Sequence, residues 1–291
     1  MIPAQFDYVR PSDLPDALRI LKEREGEAKV LSGGYSLIPL LKLRLAQPGL
    51  LVDIRDVSGL DGIVETAGEL VVGGRATHRQ IQLDPVVAAR YPLLRDAAGG
   101  IGDPQVRNWG TIGGSCAHAD PSADWPAVLI ASRATIVCRS ADGRRTVPAR
   151  EFFLETFMTA IEPTEILTEV RIPRPADRSG GAYEKIERKA GDFATAASAV
   201  QLRLGPDGRI AEVGIGLTAV AETAFAATEA ERVLAGNAPS EALFRQAGEA
   251  AAAQSRPSAD GHGPAEYKRA MAAEMTVRAL RRATARALGQ A

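Results

Sequence analysis

Lys29-Val30-Leu31-Ser32-Gly33-Gly34-Tyr35-Ser36-Leu37 and, further along, Gly110-Thr111-Ile112-Gly113-Gly114-Ser115 decide how this chain reads. The first runs from an apolar strand pattern through a glycine pair and a hydroxyl into a helix pattern. The second sets a glycine pair between the hydroxyls of Thr111 and Ser115. A nucleotide diphosphate needs donors close to its oxygens. Glycine lets the backbone approach, and successive N–H groups then converge on one anion. A helix N-terminus adds the positive end of its dipole. Two such loops can grip a pyrophosphate from two sides. Taken singly, a glycine pair reads equally as a tight turn, and Gly73-Gly74 and Gly99-Gly100 read as turns alone. No G-x-G-x-x-G follows a strand and no Gly-Lys pair occurs, so neither a Rossmann site nor a Walker A loop is supported.

Composition narrows the field. A length of 291 residues suggests about two domains, with enough chain to bury cores without staples. With 35 basic and 36 acidic residues the net charge is −1, so no global field draws in nucleic acid or an anionic membrane. An anionic ligand must be held by local geometry. Cys116 and Cys138 make neither a disulfide framework nor a C-x-x-C pair, and are too few for an iron–sulfur cluster. They read as reduced thiols of a cytoplasmic protein. His78, His118 and His262 lack metal-ligand spacing, so no metal site is expected. The start, MIPAQFDYVRP, lacks a signal-peptide apolar core, and no apolar run reaches membrane-span length.

Short elements alternate in the first half. Ser12 or Asp13 caps a helix over Leu14–Glu23, with Pro15 in its first turn. Ala28–Leu31, Leu50–Ile54, Leu70–Val72 and Ala134–Arg139 read as strands, and Ser36–Leu45 as a helix. Residues 172–181, rich in Pro and Gly, mark a boundary. Beyond it, Ala197–Leu204 and Arg209–Ala219 flank Gly205-Pro206-Asp207-Gly208 as a hairpin. Thr223–Leu234, Ser240–Gln254 and Pro264–Leu288 read as helices, the last two separated by 257–263. The fold class is α+β: a mixed N-terminal domain carrying the glycine loops, then a small antiparallel sheet with helices.

The run from Lys29 to Lys42 resembles the first FAD loop of the medium subunits of molybdenum hydroxylases, the family of xanthine dehydrogenase and aerobic carbon monoxide dehydrogenase. The run from Asp103 through Ser115 to Ala117-His118-Ala119-Asp120-Pro121-Ser122-Ala123-Asp124 is similar to the second. The likeness covers essentially the whole chain. It is strongest to the carbon monoxide dehydrogenase branch, in Phe6-Asp7-Tyr8, Ala160-Ile161-Glu162-Pro163 and Gly191-Asp192-Phe193-Ala194.

The resemblance implies an FAD-binding domain of the PCMH/vanillyl-alcohol-oxidase type over residues 1–177, in two subdomains (about 1–55 and 56–177). A C-terminal domain of the CO-dehydrogenase-flavoprotein kind follows over 178–291. Val30, Leu31, Ser32, Gly33, Gly34, Tyr35, Ser36 and Leu37 would wrap the pyrophosphate, with Gly110, Thr111, Gly113, Gly114, Ser115 and Ala117 opposite. Asp124 would bind the adenosine end, or else cap a helix. Ile101, Ile166 and Leu167 would touch the flavin, or be plain core. Lys185 would approach the flavin, or be solvated. Phe193 stands where the closest branch carries tyrosine: it keeps a stacking face and loses the hydroxyl. His118 would hydrogen-bond the cofactor or sit in the core.

The implied function is an electron relay without catalytic acid or base. A small partner subunit with two [2Fe-2S] clusters would feed the FAD, and a large molybdopterin subunit would oxidise the substrate. The assembly would be a dimer of heterotrimers, cytoplasmic or at the inner face of the membrane. Carbon monoxide is the first substrate expected. Xanthine, aldehyde or N-heterocycle oxidation is the alternative, and Ala117-His118-Ala119-Asp120 follows that wider pattern. A self-contained FAD reductase, or an assembly protein without flavin, are the other readings.

Overall fold

The computed structural model describes residues 1–290. The first unit contains β1 (Asp7–Val9), α1 (Leu14–Glu23), β2 (Ala28–Leu31), α2 (Leu37–Lys42) and β3 (Leu50–Asp53). Its three strands are parallel, in the order β1-β3-β2. Asp13 starts α1 by accepting the Asp16 N–H at 2.8 Å. The helix then buries Ala17, Leu18 and Leu21 in one core with Val52 and Ile54. Each such side chain contributes about 1.5–3 kcal/mol when fully buried.

The second unit begins with β4 (Ile63–Glu65) and β5 (Glu69–Gly73). Six helices follow: α3 (His78–Leu83), α4 (Pro85–Arg90), α5 (Pro92–Gly100), α6 (Pro104–Trp109), α7 (Ile112–His118) and α8 (Asp124–Ala131). The chain returns through β6 (Thr135–Ser140), β7 (Gly143–Pro148), α9 (Ala149–Phe152), the short pair β8 (Phe153–Glu155) and β9 (Met158–Thr159), and β10 (Ile166–Pro173). The main sheet is antiparallel, ordered β4-β5-β10-β6-β7. Its last strand in sequence is therefore its middle strand in space: Val170 stands opposite Val72 on one side and Ile136 on the other.

The third unit is β11 (Ser179–Ile186), β12 (Ala196–Leu204), β13 (Ile210–Thr218) and β14 (Phe225–Ala226), antiparallel in that order, covered by α10 (Thr228–Leu234), α11 (Glu241–Gln254) and α12 (Ala265–Ala287). Helix α8 is buried along its whole length and packs on β12 and β13. Asp96 of α5 accepts from both Arg282 and Arg286 of α12. Among the described residues no helix is long and apolar enough to cross a membrane.

Four expectations need correction. Helix α2 stops at Lys42, because Arg44 turns to a φ of +59° and the Leu45 N–H folds back to Leu40 O at 2.9 Å. Thr223–Leu234 is not one helix: Phe225 and Ala226 pair with β13 before α10 begins at Thr228. Neither Gly73-Gly74 nor Gly99-Gly100 is a plain turn. Gly73 ends β5, while Gly99 and Gly100 end α5. Ser179, Gly180 and Gly181, read as part of a boundary, begin the long strand β11.

Candidate functional site

The first loop leaves β2, passes Ser32-Gly33-Gly34-Tyr35-Ser36 and enters α2. Gly33 has a φ of +73°, where an L side chain is disfavoured by about 1–2 kcal/mol. A Cβ there would also overlap the Trp109 carbonyl oxygen. The Gly34 N–H closes on Ser32 O at 2.8 Å. The N–H groups of Gly33, Tyr35, Ser36 and Leu37 find no acceptor among the described residues. The Ser36 side chain does not cap α2, so its hydroxyl stands beside these donors.

The second loop behaves differently. Thr111 caps α7, its Oγ1 accepting the Gly114 N–H at 3.0 Å. The Ile112 N–H donates to Ala76 O at 3.0 Å and the Gly113 N–H to Gly74 O at 2.9 Å. The Ile112, Gly113 and Gly114 N–H groups are thus engaged within the protein. The second loop supplies a bed and side chains, including the half-buried Ser115 hydroxyl. A Cβ on Gly113 would stand 2.5 Å from Gly74 O, and one on Gly114 3.1 Å from Ser32 O. Ser32 Oγ lies 3.0 Å from Thr111 Oγ1. The two loops therefore touch, one presenting donors and the other backing them.

Beside them opens a cleft of about 760 Å³, lined among others by Ser32, Gly33, Trp109, Thr111, Arg75 and Arg79. Arg75 donates to Val57 O at 2.8 Å. Neither Arg75 nor Arg79 has a carboxylate partner among the described residues. Asp53, also in the wall, is already satisfied by Arg55 at 2.6 Å and the Tyr8 hydroxyl at 2.7 Å. Of the first loop, Ser32 and Gly33 line this cleft, and with two guanidiniums free of carboxylate partners it suits an anion such as a pyrophosphate.

Asp124 is buried and opens α8 without capping it, since Ala123 is the cap residue. Its Oδ1 accepts the Tyr183 hydroxyl at 2.7 Å and lies 3.3 Å from Lys185 Nζ. Burial pushes this carboxyl up, and Lys185 and Tyr183 draw it back. Burial, with the carboxylate beside it, holds the Tyr183 phenol well above its ordinary value. Lys185 is no solvated lysine: its Nζ also reaches Glu187 at 3.1 Å and Gly100 O at 3.1 Å. Asp124 and Lys185, expected at opposite ends of an extended dinucleotide, meet in one cluster.

Ile101 follows α5 and is buried. Ile166 and Leu167 are the first residues of β10 rather than its approach. Ile166 joins the core of the first unit, and Leu167 that of the second. Val30 and Leu31 end β2, Tyr35 is exposed, and Gly110 ends α6 against His78. Ala117 lies on the exposed side of α7. His118 stacks on Phe157 with ring centroids 5.0 Å apart. Phe193 is half exposed on the loop between β11 and β12. Sequence reasoning missed Trp109, Tyr183, Arg75 and Arg79. Tyr183 alternates with Lys185 on one strand, a signal that was available.

Fold and site define a protein that holds a dinucleotide by its pyrophosphate. Residues 4–175 match the family described as FAD binding domain in molybdopterin dehydrogenase, and residues 181–283 the CO dehydrogenase flavoprotein C-terminal domain. The carbon monoxide dehydrogenase medium chain of Afipia carboxidovorans is 44% identical over 99% of both chains. A carbon monoxide dehydrogenase structure from Hydrogenophaga pseudoflava superposes with a TM-score of 0.95 at 46% identity, covering 98% of this chain and 99% of that one. Quinoline 2-oxidoreductase from Pseudomonas putida 86 gives 0.92 at 35% identity, covering 100% and 99%. The chain belongs to the family of FAD-binding medium subunits of the molybdenum hydroxylases. It is an oxidoreductase subunit whose cofactor is FAD.

Proposed function

We propose that this chain relays electrons in a molybdenum hydroxylase that oxidises carbon monoxide. The observation that carries the substrate is 44% identity along the full chain to a carbon monoxide dehydrogenase medium chain, against 35% to the quinoline enzyme. FAD supplies storage for two electrons and their release one at a time. The first loop binds its pyrophosphate through the Gly33, Tyr35, Ser36 and Leu37 N–H groups and the Ser36 hydroxyl. Thr111–Ser115 backs that loop, and Arg75 and Arg79 neutralise the cleft. Ile101 and Leu167 bound the flavin end, where Asp124 and Tyr183 orient Lys185. Phe193 covers a ring face. Residues 1–177 form the cofactor domain and 178–291 the domain that closes on it. A large molybdopterin subunit and a small [2Fe-2S] subunit complete a heterotrimer that pairs into a dimer in the cytoplasm.

One feature favours a second reading. Ala117-His118-Ala119-Asp120 follows the pattern of the wider family, whose members include an N-heterocycle enzyme. The test is to purify the chain with its partner subunits. The complex is expected to be yellow, to release FAD rather than FMN, and to lose flavin absorbance when carbon monoxide is added without an acceptor. Bleaching by quinoline but not by carbon monoxide would sink the substrate assignment. A colourless chain that takes up no FAD would sink the whole reading.

A further inference from the structure

One charged cluster lies beside the site without a part in it. The loop between β11 and β12 is closed at its base by the Thr195 N–H on Ile186 O at 2.8 Å. Midway, Gly191 rests on Gly102, the residue after Ile101. Asp192 Oδ1 accepts the Phe193 N–H at 3.0 Å, and Arg188 reaches Asp192 Oδ2 at 3.3 Å. Facing this loop is the turn Asp260–Gly263, which precedes α12. Arg188 donates to Gly261 O at 3.0 Å. The His262 ring stands between two carboxylates, Nε2 at 3.8 Å from Asp192 Oδ1 and Nδ1 at 3.7 Å from Asp260 Oδ1. Asp260 is anchored by the buried Lys268 of α12 at 2.6 Å. His262 Nε2 is buried with no hydrogen-bond partner.

A buried ring nitrogen 3.8 Å from a carboxylate oxygen lies just beyond hydrogen-bond reach, so a shift of under about 1 Å completes the bond. Burial opposes charge on Asp192, but the Phe193 N–H, Arg188 and His262 hold its carboxyl below the usual range. Burial likewise opposes charge on Asp260, while Lys268 and His262 lower it. Two carboxylates held ionised thus flank the ring. Fixing Asp192 also fixes Phe193, the next residue, through the bond between them. Phe193 itself is half exposed.

We infer that the Asp260–Gly263 turn is a latch on the Phe193 loop. His262 is the positioning residue that holds the aromatic ring in place for the flavin. This rests on the reading that Phe193 covers the flavin. A loop held ready loses less freedom when the cofactor arrives.

The test uses the full chain reconstituted with FAD, reading visible circular dichroism and FAD affinity. Phe193→Ala is expected to change the visible circular dichroism of the bound flavin by removing a ring from its face and to weaken FAD binding. His262→Ala is expected to give the same change in smaller measure and to weaken FAD binding roughly fivefold. The double variant should add nothing beyond Phe193→Ala, since both act through one ring. Arg188→Gln, which loosens the same loop without touching His262, should reproduce the effect if His262→Ala does not fold. A silent Phe193→Ala removes both the flavin contact and the latch. An active Phe193→Ala with silent or additive latch variants overturns the latch alone.

Discussion

At the scale of the residue, the two glycine loops are unequal. Gly33 combines a left-handed φ with backbone contact to Trp109, so Gly33→Val meets two obstacles. Gly113 sits against the Gly74 carbonyl at the start of α7. Its substitution displaces the helix rather than blocking a donor. Gly33→Val is therefore expected to abolish FAD retention while losing about 1–3 kcal/mol of stability. Gly113→Val should lose FAD together with a larger share of stability. Flavin-to-protein absorbance ratios and denaturant midpoints separate the two, and normal flavin content in Gly33→Val would remove the first loop from the site. Asp124 shows the limit of one-dimensional reading. The resemblance assigned it to the adenosine end, and α8 sets it beside Lys185 of β11, a neighbour from the third unit that no local pattern records.

Elements explain what the sequence could and could not disclose. Strand β2, helix α1 and the hairpin β12–β13 were legible because period and turn residues agree locally. Strand β11 was not, since Gly180-Gly181 in its first turn of sequence resembles a linker. Gly180 is needed there because the backbone of α12 at Ala283 and Ala287 lies against it, a contact that no local pattern records. The packing of α3, α6 and α8 was equally hidden. There the Trp125 Nε1–H donates to His78 Nδ1 at 3.0 Å, so the proton of the neutral ring is on Nε2. Burial, with Arg107 nearby, lowers the His78 pKa to about 4. The unfolded chain takes up this proton near pH 6.5 and the folded one only near 4. Stability therefore falls as pH drops through that window, by up to about 3 kcal/mol from this residue. His78→Gln should flatten the decline, measured as denaturant midpoints at pH 7 and pH 4.5. An unchanged slope would show that His78 does not titrate on unfolding.

Across the whole molecule, the second and third units share a packed face, where α5 and α8 lie on β11, β12 and β13, and charged contacts cross it. Asp96 receives Arg286 at 2.6 Å and also Arg282, whose other arm holds Glu184 at 2.6 Å. Asp96→Ala strands two partly buried guanidiniums and is expected to cost about 2 kcal/mol, or roughly 4–8 °C in Tm. Differential scanning calorimetry should show one lowered transition, and a Tm within a degree of the parent would mark the network as dispensable. The second loop depends on a longer reach. Its backbone hangs on Gly74 and Ala76, and the Gly74 N–H is in turn held by Thr168 O at 2.8 Å. Because β10 is the middle strand of its sheet, nothing completes the support of either loop until that strand exists. On the ribosome both glycine loops emerge early, at roughly 5–20 residues per second, but their scaffold closes only after the segment up to Pro173 has cleared the exit. The nascent chain thus carries a legible cofactor motif long before it can use it.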